Sequence, residues 1–295
     1  MTKKHTLDYI NSLSGSAFVA HLGDIFEHAP WVAEAVSKLR PFPTVSALHD
    51  AMIAAVKAAP QDQQLAFLRG HPELGGKVAR AGAMTAESIA EQGSLGLNTL
   101  SDAEFSRFEA LNAEYNQRFG FPFIICVKRQ TRDAILASFA RRTTLSPVEE
   151  FSTAIHEIGH ITRLRLVAVV DGPGLPKTDG RLSTHVLDTH AGKPAPSVGI
   201  RLFEVGATAR GLLAETVTNA DGRTDQPLMG GGPLRTGTYE IEFLIGDYFR
   251  SKGITAASPA FLDVVPIRFG IAEPEGHYHV PLLATPWSYS TYRGS

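Results

Sequence analysis

The sequence predicts two domains of different class, an all-α domain followed by an all-β sandwich. The chain has 295 residues, enough for two domains of about 100–200 residues each. Apolar residues recur every three to four positions in the first half and every second position after Leu182. A stretch rich in glycine and proline separates the two patterns. We therefore expect domains over residues 1–169 and 181–295, joined by a linker over 170–180.

The first half has the pattern of a series of short amphipathic helices. Phe18, Leu22 and Ile25 fall on one helical face, and the same spacing returns in residues 48–56 and 105–115. Prolines between these segments mark where one helix stops and the next begins. The pattern predicts a helical domain that buries one stripe of each helix.

The second half alternates as strands do. Tyr239, Ile241 and Phe243 share one face of a predicted strand, and Val265 and Ile267 share the face of another. Glycine-rich turns separate these short segments. Several short strands at this spacing are typical of a β-sandwich.

Composition narrows the classes of function. The 28 basic residues nearly balance the 30 acidic ones, which gives no electrostatic reason to expect nucleic-acid or membrane partners. The start of the chain lacks the apolar core of a signal peptide, so we expect a cytoplasmic protein. The single cysteine, Cys126, lies in an apolar run and is expected to be a buried small hydrophobe rather than a nucleophile.

Four motifs in the second half carry polar chemistry. Two contain histidine, one contains Asp221-Gly222-Arg223, and the last ends the chain as Tyr-Arg-Gly-Ser; they span residues 182–188, 219–224, 277–283 and 292–295. In this order they resemble 5-hydroxyisourate hydrolase, the transthyretin-related enzyme of urate breakdown. The resemblance covers about residues 180–295 and implies a transthyretin-like sandwich.

The resemblance implies that His185, Arg223, His279 and Ser295 are catalytic and that Tyr292 binds substrate. Imidazole titrates near neutrality and suits a general base for the attack of water on a carbonyl. A guanidinium can hold an electron-rich carbonyl or a urate-like anion through its planar fork.

Two other interpretations of this half stay open. His277 and His279 share one face of a strand and could be two metal ligands, although no third ligand accompanies them at a fixed spacing. Transthyretins carry hormone on the same sandwich, but they lack the histidine and arginine set and the Tyr-Arg-Gly-Ser end that this chain has. Those residues favour the enzyme over the binding module.

Four motifs of the first half, residues 71–77, 88–92, 111–115 and 119–125, resemble the decarboxylase of 2-oxo-4-hydroxy-4-carboxy-5-ureidoimidazoline (OHCU), an all-helical family. The resemblance spans about residues 7–168 and implies that His71 and Glu91 are catalytic. The implied substrate-binding residues are Pro72, Ser88, Ile89, Ala90, Gln92, Phe123, Ile124, Ile125, Cys126, Val127 and Arg165. No cofactor is expected, because the substrate ring itself can accommodate the electrons that carbon dioxide leaves behind.

Residues 156–160 spell HExxH, the motif of zinc peptidases. On a helix His156 and His160 would share a face with Glu157 nearby as a base. The motif ends only about ten residues before the linker, and no third ligand follows on another helix. We expect a closing helix with two partly exposed histidines and no metal.

Together the resemblances imply a bifunctional enzyme of urate degradation. The second domain would hydrolyse 5-hydroxyisourate to OHCU, and the first would decarboxylate OHCU to (S)-allantoin. These small molecules are the expected partners, with no nucleic acid and no membrane. The resemblance also implies a homo-oligomer, a tetramer in particular.

Overall fold

The computed structural model describes residues 4–75, 86–93, 95–97, 100–254 and 258–294 of the chain. The chain forms two compact units, one of Met1–Lys128 with Ile135–Thr178 and the other of Arg129–Ala134 with Asp179–Ser295. The first is helical and the second is built of strands, so the predicted fold class is confirmed. Among the described helices none is both long and apolar enough to cross a membrane.

The helices before the sandwich are mostly short, as the proline spacing predicts. They are α1 (Leu7–Ser12), α2 (Gly15–Leu22), α3 (Pro30–Ser37), α4 (Val45–Ala58), α5 (Gln61–Arg69), α6 (Ala86–Gly93), α7 (Asp102–Phe119), α8 (Arg132–Arg142) and α9 (Pro147–Val169).

The two longest helices begin with reciprocal caps. Ser101 accepts from the main-chain N–H of Glu104 at the start of α7, while the Glu104 carboxylate accepts from Ser101 N. Ser146 and Glu149 repeat this arrangement at the start of α9. Each such cap stabilises a helix by about 1 kcal/mol because it satisfies N–H groups that lack a partner within the helix. Sequence-local chemistry thus fixes where both helices start.

An aromatic cluster lies in the core of the helical unit. Tyr115, Phe123 and Phe139 are each at most 1% exposed. The Phe123 and Phe139 rings stack with centroids 3.7 Å apart, and Tyr115 meets Phe123 edge-on at 5.1 Å. Truncating such a ring to alanine costs about 3–5 kcal/mol. The cluster anchors the extended segment that begins at Phe123.

The predicted linker starts against the helical unit. Strand β2 (Val170–Asp171) pairs in parallel with β1 (His5–Thr6). The carbonyl oxygens of Pro173 and Gly174 then accept from the main-chain N–H groups of residues 45 and 46, at 2.9 and 3.1 Å. Residues 170–171 therefore have main-chain partners on β1, and residues 173–174 have theirs at the first turn of α4.

The described part of the second unit consists mainly of short strands, together with a helix, α10 (Ile245–Ser251), that the sequence does not predict. The strands are β3 (Gly180–Ser183), β4 (Val186–Asp188), β5 (Lys193–Pro194), β6 (Gly199–Val205), β7 (Arg210–Val217), β8 (Met229–Gly232), β9 (Gly237–Leu244), β10 (Val264–Ile271), β11 (His277–His279), β12 (Leu282–Ala284) and β13 (Tyr289–Thr291).

One four-stranded sheet has the order β10-β9-β6-β7 and is antiparallel throughout. Tyr239, Ile241 and Phe243 of β9 are each fully buried, as the alternation predicts. The other strands form β11-β3-β8 and β13-β12-β4-β5. In these two sheets β11 runs parallel to β3 and β12 runs parallel to β4, which brings the histidine strand beside the segment that leads to His185.

Candidate active sites

A cavity in the helical unit brings together most of the residues predicted to bind or convert OHCU. Its wall is lined by Glu27, His71, Pro72, Leu74, Ser88, Glu91, Gln92, Phe123, Ile124, Ile125, Val127, Ile161 and Arg165. Five segments far apart in the sequence therefore converge on one cavity. The predicted residues Ile89, Ala90 and Cys126 are not among those that line it.

His71 follows α5 directly, and its tautomer is fixed. Its Nδ1 lies 3.1 Å from the carbonyl oxygen of Phe67, which can only accept, so Nδ1 carries the proton. Nε2 is then left with its lone pair. Burial lowers the pKa of His71 to about 4, so the ring is neutral at physiological pH. A neutral imidazole with a fixed tautomer is suited to take a proton at Nε2.

Arg165 lies at the centre of an ion-pair cluster. Its Nη1 is 2.7 Å from Glu27 Oε2, and its Nη2 is 3.0 Å from Glu91 Oε2. Ser88 Oγ donates to the other oxygen of Glu27 at 3.1 Å, and Lys128 lies 3.7 Å from Glu91. The two carboxylates compensate the charge of Arg165, so this buried cation is paired on two sides.

Helix α6 presents one face to the cavity. Ser88, Glu91 and Gln92 are spaced as i, i+3 and i+4, and all three are buried. Ile89 and Ala90 lie on the opposite face and are exposed, which explains why they do not reach the cavity. Gln92 accepts from Gly75 N at 3.0 Å and donates to the carbonyl of residue 73 at 3.3 Å, so it fixes the loop that follows His71.

The predicted hydrolase residues converge in the second unit through the pairing of β3 with β11. His277 pairs with Arg181 and His279 with Ser183. The Ser183 hydroxyl lies 3.0 Å from His277 Nε2 and 3.0 Å from His279 Nδ1. A hydroxyl has one hydrogen to give, so one imidazole accepts from Ser183 and the other donates to it. Ser183 therefore couples the tautomers of the two histidines.

Arg223 reaches the same place by a tight turn. His185 and Arg223 are antiparallel bridge partners, and Val186 N donates to the carbonyl of Gly222 at 2.8 Å. Gly222 has a φ of 70°, and a Cβ there would lie 2.3 Å from Val186 O. Only glycine fits this turn without strain. The Asp-Gly dipeptide before Arg223 thus serves to hold the backbone of the arginine against that of His185.

Electrostatics couples the three side chains. Burial and the nearby charge of Arg223 both lower the pKa of His185 and that of His279. His185 Nε2 is buried and has no hydrogen-bond partner among the described residues. Two neutral imidazoles beside a guanidinium are equipped to remove a proton from water and to stabilise a developing negative charge.

The end of the chain packs on the histidine strand. Gly294 N donates to the carbonyl of His279 at 2.9 Å, and a Cβ on Gly294 would lie 2.6 Å from His279 Cδ2. Tyr292 is 57% exposed and does not pack in the core. Ser295, predicted to be catalytic, lies outside the described residues. The glycine before it allows the backbone to pass this close to the imidazole.

Comparisons with known proteins match both halves. Residues 11–167 match the OHCU decarboxylase family, and residues 182–294 match the HIUase/transthyretin family. The chain belongs to both families. The 5-hydroxyisourate hydrolase 2 of Rhizobium meliloti (strain 1021) is 57% identical over 116 residues, which are 39% of this chain and 97% of the relative.

A relative of the first half is the OHCU decarboxylase of Haloferax volcanii, 44% identical over 161 residues, which cover 55% of this chain and 94% of the relative. A crystal structure of (S)-allantoin synthase is similar over 98% of this chain and 99% of that one, with 38% identity and a TM-score of 0.53. The predicted pair of enzyme domains, an OHCU decarboxylase followed by a hydroxyisourate hydrolase, is confirmed.

In the HExxH segment the two histidines and the glutamate have different partners. His156 Nε2 lies 3.1 Å from His160 Nε2 on α9, but Glu157 turns to another partner, the main-chain N–H of Cys126, at 2.9 Å. No cluster of three or more His, Cys, Asp or Glu residues able to hold a metal occurs in the described part of the chain. Glu157 is therefore not placed as a peptidase base.

Two residues of these sites, Glu27 and Ser183, are given no role by the sequence. Glu27 follows the short 3-10 turn Gly23–Ile25 and carries no motif of its own, yet it is 4% exposed and lines the cavity. Ser183 lies within the hydrolase motif of residues 182–188, but a serine in a strand does not by itself indicate a role in binding or catalysis. The signal that would find both residues is their contact with Arg165 and the histidines, which only the fold supplies.

Proposed function

We propose that the chain carries out two steps of urate degradation at two separate sites. His185, Arg223 and His279 would hydrolyse 5-hydroxyisourate, and the cavity around His71 would decarboxylate the product. Water adds to the ring carbonyl, the C–N bond breaks, and the nitrogen receives a proton. The carboxylate formed in this step is the group that the second reaction removes.

At the hydrolase site His279 would be the base. Its Nε2 is available when Nδ1 donates to Ser183 Oγ, and Ser183 then donates to His277 Nε2; this is one of the two arrangements that the contacts allow. Arg223 would hold the carbonyl oxygen as negative charge develops there. The unpartnered Nε2 of His185 would bind the ring or the attacking water. Ser295 would orient water or substrate, and Tyr292 would contact the substrate.

At the decarboxylase site the bond to the carboxylate breaks, and its electron pair forms a double bond to the neighbouring ring carbon that bears the ureido group. The C=N bond of that carbon gives its electron pair to the ring nitrogen, which takes a proton from water. His71 Nε2 would accept the proton of the substrate hydroxyl as that oxygen becomes a carbonyl. The imidazolium formed is a strong acid, because burial lowers its pKa to about 4, and it returns the proton to the ureido-bearing carbon. Delivery from one side gives (S)-allantoin rather than a racemate.

Other cavity residues would position the substrate. Glu91 would accept from the substrate hydroxyl or ring N–H, and Pro72 and Ser88 would shape the wall beside His71. The main chain of residues 123–127 would bind the edges of the ring. The support for the proposal is the convergence of His71, Glu91 and Arg165 on one cavity with the His71 tautomer already set.

Circular dichroism of the product tests both steps at once. Urate, urate oxidase and the protein are mixed while the ultraviolet absorbance of 5-hydroxyisourate is followed. The proposal predicts fast loss of 5-hydroxyisourate together with an optically active (S) product. A fast loss with a racemic product would exclude the decarboxylase role, and an unchanged rate of loss would exclude the hydrolase role.

We also propose a homotetramer in the cytoplasm. Several large apolar side chains of the second unit are exposed, and an exposed apolar edge strand favours association. They include Leu212, Leu213 and Val217 of β7 together with Trp287 and Tyr289. Sedimentation equilibrium tests the assembly; a mass of 31.8 kDa, that of one chain, would exclude it. Cell fractionation tests the location.

A further inference from the structure

The extended segment 123–127 forms a wall of the decarboxylase cavity and has no regular secondary structure up to Cys126. Without a helix or sheet ladder, its main-chain groups need other partners to hold a fixed orientation. Two such partners are charged side chains. They are Arg142, at the end of α8, and Glu157, from the HExxH motif of α9.

Arg142 holds the first part of the segment. Its Nη1 donates to the carbonyl of Ile124 at 2.7 Å, and its guanidinium lies 4.3 Å from the centroid of the Phe123 ring. Arg142 is only 1% exposed, and Glu150, which is fully buried, compensates its charge. The Tyr115 hydroxyl donates to the same carboxylate. A fully satisfied buried network of this kind is rigid.

Glu157 holds the second part. Its Oε2 accepts from Cys126 N at 2.9 Å. Ile161 and Arg165 follow Glu157 on α9 at spacings of four and eight residues, so the three share one helix face. Ile161 and Arg165 line the cavity. The face of α9 that carries Arg165 to the cavity therefore also fixes the segment opposite.

The contacts of Arg142 and Glu157 leave the main-chain groups of Phe123 and Ile125 available to the substrate. Both residues are at most 4% exposed, and neither has a main-chain hydrogen-bond partner among the described residues. Buried main-chain groups rarely stay without a partner. We infer that Arg142 and Glu157 are positioning residues of the decarboxylase, which fix residues 123–127 so that the main chain of Phe123 and Ile125 is presented to the substrate ring.

This inference rests on the proposed function of the cavity, and substitution of Glu157 tests it. Glu157→Ala removes the acceptor for Cys126 N, whereas Glu157→Gln retains an oxygen that can accept. In the full chain we expect Glu157→Ala to raise KM for OHCU roughly tenfold with a smaller loss of kcat, and Glu157→Gln to restore most of the affinity. Hydrogen exchange at the Cys126 amide should become faster in Glu157→Ala only.

His156→Ala is the matched control, since His156 is the exposed neighbour of Glu157 on the same helix and should leave KM unchanged. If Glu157→Ala unfolds, Glu157→Asp gives the same test by withdrawing the carboxylate by one methylene. An unchanged KM in a folded Glu157→Ala or Glu157→Asp protein overturns the inference. A wild-type protein that does not decarboxylate OHCU would instead refute the proposed function. The far-ultraviolet circular dichroism of each sample, compared with that of the wild type, shows whether the helical unit is folded.

Discussion

Arg165 Nη1 lies 2.7 Å from Glu27 Oε2, so an arginine predicted to bind the substrate already has an anion as its partner. The second carboxylate, Glu91, is 3.0 Å away. An incoming carboxylate therefore meets a cation whose charge is largely compensated. This favours the reaction, because a strong ion pair with the substrate carboxylate would be lost as neutral carbon dioxide leaves.

Glu27→Gln should tighten binding of OHCU and slow its decarboxylation. The amide keeps a hydrogen-bond acceptor but removes one negative charge from Arg165, so the substrate carboxylate is held more strongly in the ground state than in the transition state. We expect both KM and kcat to fall in steady-state measurements. Glu34→Gln, on an exposed position of α3, is the control and should change neither. A rise in KM would contradict this account of Glu27.

The pH profile of decarboxylation should report a neutral His71. Its pKa lies at about 4 because of burial, so Nε2 stays unprotonated across the physiological range. We expect kcat/KM for OHCU to be constant down to about pH 5 and to fall below that as Nε2 takes a proton. A decline centred near pH 6.5 would mean that the His71 imidazole is solvated rather than buried.

Acid should destabilise the helical unit through two of its histidines. His49 and His71 both have a pKa of about 4 in the folded protein, against 6.5 for the ordinary group. Above pH 6.5 both histidines are neutral in the folded and in the unfolded chain. Below pH 6.5 the unfolded chain binds protons that the folded chain does not bind. The free energy of unfolding therefore falls as the pH is lowered, until about pH 4. Thermal denaturation between these values measures the slope. His49→Gln should reduce the slope, and an unchanged slope would exclude His49 as a contributor.

Gly294→Ala should impair the hydrolase through His279. The added Cβ would lie 2.6 Å from His279 Cδ2, so either the imidazole or the end of the chain must move. A displacement of about 1 Å at a reacting group can cost roughly a hundredfold in rate. Gly211→Ala is the control, because no atom lies within 4 Å of its added Cβ. Equal rates of 5-hydroxyisourate loss in the two variants would show that this close approach is unimportant.

The two activities should be separable by single substitutions. His279→Ala removes the proposed base of the hydrolase and should abolish the first step, while decarboxylation of supplied OHCU continues. His71→Ala should leave 5-hydroxyisourate consumption intact and yield racemic allantoin, since spontaneous decay of OHCU then determines the product. Loss of both activities in either folded variant would refute the assignment of separate sites.

The sequence predicts those features that depend on neighbours along the chain. The period of the apolar residues gives the class of each half, and the motifs around His71 and His279 give the candidate sites. The sequence does not predict Glu27, because its role depends on a contact with Arg165, which is 138 residues away in the chain. Ile89 is predicted to bind substrate because it lies within a continuous motif. A helix presents only some of its residues to one side, and Ile89 does not line the cavity.

The same limit applies to the HExxH segment. Its spacing correctly indicates that His156 and His160 are neighbours on a helix, since their Nε2 atoms lie 3.1 Å apart. The spacing does not predict the partner of Glu157, which is the main-chain N–H of Cys126. The motif therefore predicts the geometry within the helix, but the role of Glu157 depends on the residue that it contacts in another segment.

Strand β1 lies beside β2, with His5 opposite Val170 and Thr6 opposite Asp171. The first and last segments of the helical unit thus run side by side in the same direction. Because both ends of the helical unit lie together, a second domain can be attached after Asp171 without opening the core of this unit. The decarboxylase, which acts second on the substrate, can therefore precede the hydrolase in the chain while its own core stays closed.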